Sequence, residues 1–330
     1  MTLMKIPPLK YLLIFGLGLV VMFGLQSLQA NLIGCEQKYE LLNRTRRCGE
    51  TLAQGEWNYE SLRDALAAKK EELKASGAVT HLSIYFQDLD HGPRFGIGEY
   101  DKFQPASLMK LPVLIFFLHA ADLDPKLLDK TLSFTGTLDI ADNVTSPEKT
   151  IQPDTLYPIR ELLRKMTVYS DNRSYLLLLR EISVLSEDVA YRTFHDLDVL
   201  QMMLESDKTY VSISSYAKLY AILYNTGYLS KDMSQYALRL LSEATFPGGI
   251  SAGIPKGIRV ADKFGYANIN GEGQLHDCGI IYHPKMAYTL CVMTTSQIEE
   301  KANAAITEIS RMVYDTVSTL DFDHRMQERL

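Results

Sequence analysis

Apolar positions along this chain change their period several times, and the changes mark out the elements. From Trp57 to Ser76 (WNYESLRDALAAKKEELKAS) they recur at helical spacing and stop before Gly77, a residue suited to closing a helix. THLSIYFQDL and PRFGIGEY then alternate as strands do, around the turn signal DHG. From Pro105 the run ASLMKLPVLIFFLHAAD is apolar on nearly every face and predicts a buried helix. Pro158 to Tyr169 and Asn172 to Ile182 predict two more helices, broken at YSDN. Another helical stretch runs from Ser214 to Tyr224 and resumes after NTG from Lys231 to Glu243. RVADKFGYA, LHDCGIIY and AYTLCVMT are strand-like, and Gln297 to Leu320 is a closing amphipathic helix. Strands and helices segregated in this way predict an α+β fold rather than alternating βαβ units. The first and last helices are expected on one face of a five-stranded sheet and the helical block on the other. Neither an internal repeat nor a low-complexity tract interrupts the chain. Residues 57–330 are therefore expected to form one domain with two lobes, preceded by a linker over 36–56.

The first 35 residues stand apart. Lys5 and Lys10 precede an uncharged apolar run from Tyr11 to Leu25, the pattern of a signal peptide or an N-terminal membrane anchor. Three fates are open: cleavage after Ala30, lipidation of Cys35 in the lipobox-like LIGC, and an uncleaved anchor, which is preferred. Lys38, Arg44, Arg46 and Arg47 argue weakly against export of the C-terminal side. An exported, membrane-attached domain is nevertheless the expectation.

Composition narrows the choice of function. The 330 residues are 46% hydrophobic and 22% charged, which is globular, and 34 Lys+Arg against 40 Asp+Glu leave a net charge of -6. A mildly acidic chain without a basic block is not expected to bind nucleic acid. Four cysteines are too few for a disulfide scaffold, and no CxxC pair or His spacing points to a metal, so no metal or cofactor is expected. Cys35 and Cys48 bracket a short loop and could pair if Cys35 is not lipidated. The turn HPKM centres a hairpin that sets 278 opposite 291. Two small apolar side chains on one sheet face is the preferred reading of Cys278 and Cys291, and a cross-strand disulfide is the sharper one. Tyr216, Tyr220 and Tyr224 follow a helical spacing and are expected in the core.

Three short motifs carry chemistry. In PASLMK, Pro105 suits a first helical turn, and Ser107 and Lys110 fall one turn apart on the same face. A serine hydroxyl needs a base, and a lysine held in a partly desolvated cleft can serve as one. The helix N-terminus would stabilise a developing oxyanion, and Pro112 is expected to distort the helix just after Lys110. In VYSDNRS, Ser170, Asp171 and Asn172 read either as a helix N-cap or as a loop presenting Ser170 and Asn172 to a substrate, with Asp171 bracing it. In ADKFGY, Lys263 reads as an edge residue or a site cation, and Gly265 as bare backbone where a ligand comes close.

Taken in this order, S-x-x-K, S-D-N and K-x-G resemble the serine β-lactamase and penicillin-binding superfamily, most closely its class A β-lactamase type. The resemblance implies a β-lactamase/transpeptidase-like fold: a five-stranded antiparallel sheet flanked by helices, plus an all-α lobe, with the site between them. It implies Ser107 as the nucleophile that becomes acylated, Lys110 as its proton acceptor, and Ser170 as the relay to the leaving nitrogen. Asn172 would orient Lys110 and the substrate, Lys263 would face the substrate carboxylate, and the backbone N–H groups of Ser107 and Tyr266 would form the oxyanion hole. Departures are equally specific. Phe264 stands where the family has Thr or Ser. The arginine expected near Leu275 is missing, with His276 the nearest polar substitute beside Gly265 among the substrate-binding candidates. The glutamate loop E-x-x-L-N is not found; of Asp196, Asp198, Glu205 and Asp207, only Glu205 is offered as a deacylating base, and an ordinary loop acid is its simpler reading. Without that base, hydrolysis of an acyl-enzyme is expected to be slow. The expectation is a serine hydrolase acting on a β-lactam or a related D-alanyl amide of peptidoglycan. A D-alanyl-D-alanine carboxypeptidase-like enzyme and a non-catalytic binder of cell-wall peptide are the alternatives.

Overall fold

The computed structural model describes residues 37–45, 58–138, 146–185, 187–200, 210–244 and 246–320. Segment 1–35, the Cys35–Cys48 pairing and Glu205 lie outside the described residues.

Alternating side chains build one sheet with two apolar faces. Strands β1 (His81–Asp88), β2 (Arg94–Ile97), β3 (Val260–Ile269), β4 (Glu272–Tyr282) and β5 (Ala287–Ser296) line up in the order β2-β1-β5-β4-β3, every pair antiparallel. Leu82, Ile84 and Phe86 of β1 and Leu290 and Val292 of β5 point to one face. There they meet Leu62, Leu66 and Leu73 of α1 (Glu60–Ala75) and Ile306, Ile309 and Val313 of the closing helix Glu299–Thr319. Tyr85, Cys291 and Met293 point to the other face, against the helical lobe. The two helices expected on one face are thus there, and the helical block covers the other.

That lobe is organised around α2 (Lys110–Leu123), whose residues from Lys110 to Leu118 are all buried. The run Ala106–Leu123 is long and apolar enough to cross a membrane by composition, but here it is the core of the lobe. Around it pack α3 (Ile159–Val168), α4 (Asn172–Leu185), α5 (Glu187–Asp196), α6 (Ile213–Tyr224) and α7 (Lys231–Ser242). Tyr216, Tyr220 and Tyr224 are buried in the core, as expected from their spacing. Helix α5 buries only Ala190 and Phe194 of its apolar residues, with Val189 half-buried beside them, too little periodicity to be read from sequence.

Three expectations are corrected. The helix from Pro105 begins as a 3-10 turn, Ala106–Met109, and α2 proper starts at Lys110. Pro112 therefore falls in the first helical turn, where its missing N–H costs nothing, and the helix runs on through it to Leu123. Second, the expected linker 36–56 contains a docked strap. Leu41 and Leu42 are buried in the core, Leu41 N–H donates to Gln235 Oε1 at 3.0 Å, and Asn43 N–H donates to the Tyr224 carbonyl at 3.0 Å. Ion pairs of Lys38 with Asp232 and of Glu40 with Arg259 flank it. Third, Cys278 and Cys291 face each other in the β4–β5 register with Cα atoms 4.0 Å apart and form the cross-strand disulfide, not a pair of free thiols.

Candidate active site

The Ser107 turn gets its geometry from a short 3-10 segment. In such a turn side chains at i and i+3 eclipse, which sets Ser107 and Lys110 on the same side. Lys110 Nζ lies 3.0 Å from Ser107 Oγ. Ala106, just before the serine, has φ 48°, a left-handed conformation that a residue with a Cβ adopts only under constraint from its surroundings. The constraint comes from strand β4. Gln274 Oε1 accepts from Gln104 N–H at 3.0 Å, and His276 Nε2 sits 2.9 Å from the Gln104 carbonyl. Residues 274 and 276 share one face of the strand, so two polar side chains grip the backbone of one residue, Gln104, ahead of the serine.

Helix α4 brings the second motif in from the opposite side. In SDN the cap falls to Asp171, while Ser170 and Asn172 turn to Lys110. Asp171 is the N-cap: its Oδ2 accepts from Ser174 N–H at 2.9 Å, and its Oδ1 accepts from Thr150 Oγ1 at 2.6 Å. Ser170 precedes it with φ 57°, and that left-handed turn directs both its carbonyl and its hydroxyl at Lys110. Asn172 Oδ1 lies 2.7 Å from Lys110 Nζ and Ser170 Oγ 3.0 Å.

Burial biases Lys110 toward the neutral amine. Burial, reinforced by the nearby Lys263 charge, holds its ammonium pKa well below the ordinary lysine value. A neutral amine has two N–H donors and one lone pair. The Ser170 carbonyl and Asn172 Oδ1 can only accept, so they take the two N–H bonds. The lone pair is left for a hydroxyl proton, and Ser107 Oγ and Ser170 Oγ both lie 3.0 Å away. A serine hydroxyl beside a buried amine is an arrangement able to activate the oxygen.

Strand β3 is the sheet edge and supplies the third motif. Lys263 is 1% exposed and its Nζ donates to Ser170 Oγ at 3.1 Å, so one hydroxyl bridges two lysines. Burial pushes the Lys263 pKa down to about 8, with Asp262 and Asp277 opposing the shift, while burial and the Lys263 charge hold that of Lys110 well below the ordinary lysine value. Its Nζ also donates to the Phe264 carbonyl at 2.9 Å and lies 4.3 Å from the centre of the Phe264 ring. That ring in turn stacks on Phe246, centroids 4.1 Å apart.

The structure brings Ser107, Lys110, Ser170, Asn172 and Lys263 together and revises two substrate-binding assignments. Gly265 is bare for the nucleophile's own turn rather than for a ligand: a Cβ there would lie 2.9 Å from the Pro105 carbonyl oxygen and 3.1 Å from Leu108 N. That close contact sets Tyr266 beside the Ser107 turn, with its side chain exposed on the rim. His276 is fully buried, edge-on to Phe103, and burial pushes its pKa down to about 4. A neutral, enclosed imidazole cannot stand in for an arginine; it positions Gln104 instead. Asp198 pairs on the surface with Lys218 and Ser215, and Asp196 is exposed, so neither reaches Lys110. Two contributors escaped the sequence reading. Tyr175, one turn beyond Asn172 in α4, places its ring 5.8 Å from Lys110 Nζ. Gln274 could have been found as the same-face neighbour of His276.

A family model described as the Beta-lactamase enzyme family matches residues 65–317. No curated protein sequence matches the chain significantly. Among solved structures, a β-lactamase from Chitinophaga pinensis is 23% identical, with a TM-score of 0.66 over 76% of this chain and 98% of its own. A mutant of PBP-A, solved as an acyl-enzyme complex with penicillin G, is 20% identical, with a TM-score of 0.68 over 78% of this chain and 98% of its own. A β-lactamase from Xanthomonas campestris is 18% identical, with a TM-score of 0.65 over 77% and 98%. At these identities the likeness speaks for the fold.

Proposed function

The chain belongs to the β-lactamase enzyme family, and on that premise we propose that it is a serine hydrolase acylated on Ser107. The observation that carries this reading is Lys110 Nζ 3.0 Å from Ser107 Oγ, buried and held by two acceptor-only oxygens in a setting that favours the neutral amine. Ser107 Oγ attacks a carbonyl carbon as its proton passes to Lys110 Nζ. Lys110 then returns a proton to Ser170 Oγ, whose own proton goes to the leaving atom as the old bond breaks. Backbone N–H groups of Ser107 and Tyr266 would receive the oxyanion, which the contact between Gly265 and the serine's turn supports.

The substrate class in this reading is a β-lactam or a related D-alanyl amide of peptidoglycan. A D-alanyl-D-alanine carboxypeptidase-like activity would use the same centre. One observation favours a second reading, a binder without turnover: the Phe264 ring lies over the Lys263 ammonium, which family members offer to the substrate carboxylate. The domain would act outside the cytoplasm, attached to the membrane through segment 1–35. Its positively flanked apolar run and the Cys278–Cys291 disulfide support that location.

The test is intact-mass spectrometry of the full-length protein mixed with penicillin G or its methyl ester and followed in time. An adduct that decays with release of hydrolysed product is the expected hydrolase behaviour. A lasting adduct would make the protein penicillin-binding or carboxypeptidase-like. No adduct with either compound would leave the binder.

A further inference from the structure

Of the two groups expected to meet a substrate carboxylate, neither is free to do so. His276 is fully buried, neutral and committed to the Gln104 carbonyl. Lys263 Nζ is turned inward: it donates to Ser170 Oγ at 3.1 Å and to the Phe264 carbonyl at 2.9 Å, and lies 4.3 Å from the centre of the Phe264 ring. The ring does not hang loosely in front of the ammonium, because it is stacked on Phe246 at 4.1 Å with an interplanar angle of 16°. An incoming carboxylate would have to displace an aromatic pair and shed its own water to meet a charge already satisfied. A neutral group would meet an apolar wall and lose nothing.

We propose that this site takes neutral acyl donors, esters or amides with no carboxylate beside the leaving atom, the Phe264–Phe246 pair occupying the place where an anion would bind. The inference rests on the acyl-transfer reading above and names its substrate class. The covalent step is unchanged. Ser107 Oγ bonds to the carbonyl carbon, the bond from that carbon to the leaving oxygen or nitrogen breaks, and the serine proton reaches the leaving atom through Lys110 and Ser170. No negative charge on the substrate has to be matched at Lys263, whose ammonium is kept for holding Ser170. A terminal D-alanyl carboxylate is disfavoured by the same contacts, so among cell-wall amides the site would favour those flanked by neutral groups.

The experiment compares acylation rates of penicillin G and its methyl ester, each normalised to the compound's own hydroxide reactivity, in the full-length protein by time-resolved intact mass. Two variants are measured beside it: Phe264→Thr, which opens the anion position, and Phe246→Ala, which removes the stack but leaves the residue after Lys263 unchanged. Thermal melts confirm that each is folded. The parent should favour the ester by about tenfold or more, the scale of one lost charge-assisted hydrogen bond. Phe264→Thr should reverse the preference, and Phe246→Ala should shift it the same way by less. A Ser107 adduct forming faster with the acid in the parent would overturn the inference while leaving serine acylation intact, as would an unchanged ratio in both variants. Absence of a Ser107 adduct with either compound would overturn the acyl-transfer reading and this inference together.

Discussion

Gly265→Ala puts the contact between strand and nucleophile turn to a quantitative test. The new Cβ would sit 2.9 Å from the Pro105 carbonyl oxygen, where ordinary contact begins near 3.4 Å, and 3.1 Å from Leu108 N. Both neighbours are backbone, so no flexible side chain can move aside, and the turn must retreat by about half an ångström. Overpacking of this kind costs about 1–3 kcal/mol of stability. Ser107 lies between those two contacts, and its retreat should lower the acylation rate by roughly 10–100-fold, since misplacement by about an ångström can cost a hundredfold. The serine would also move away from Tyr266 N–H, whereas Asn172 and Ser170, on the other lobe, would keep Lys110 in place. Denaturant unfolding and single-turnover acylation by intact mass measure the two effects. Unchanged stability with only weaker substrate saturation would refute the reasoning, because that is what a glycine kept bare for a ligand would produce.

Other outcomes rest on the same contacts. The acylation rate should rise with pH as Lys110 loses its proton, then fall above about 8 as Lys263 loses the charge that holds Ser170. Lys263→Arg should abolish the alkaline fall; a fall that persists in that variant would count against this assignment. Asp262 and Asp277 are both buried and both pushed up by burial, so their contribution to stability is greatest below the ordinary carboxylate pKa and is lost as pH rises through the native values. Asp277→Asn should therefore raise Tm more at alkaline than at acidic pH, the opposite trend contradicting the buried-pair account. Leu42 is 1% exposed, and Leu42→Ala should cost about 2–5 kcal/mol in denaturant unfolding if the strap is part of the domain. A cost near zero would return residues 37–45 to the role of linker.

Where periodicity is strong, sequence and structure agree: the long helices, the five strands, and the hairpin register that sets 278 against 291. Alternation reports which face a residue occupies, and not what lies opposite, which is why Gly265 read as a ligand contact and proves to touch its own chain. His276 failed for the same reason. It lies on the face of β4 that holds Gln104, and a polar residue near a site reads the same whether it looks into the cleft or props up its wall. The strap was hidden because YELLN is short and surrounded by charge, so its burial depends on a surface formed by residues about 200 positions away. The site itself was legible as three separate motifs whose meaning came from their order. Their convergence on one hydroxyl, Ser170 Oγ between two lysines, needed the fold.

The central claim is that Ser107 is the nucleophile and Lys110 its base. The most direct test is peptide mapping of the adduct formed with penicillin G methyl ester, run on the parent, Ser107→Ala and Lys110→Ala. The account predicts an adduct on the Ser107 peptide of the parent, none in Ser107→Ala, and formation slowed by about a hundredfold or more in Lys110→Ala. An adduct of the same size and rate surviving in Ser107→Ala would contradict it.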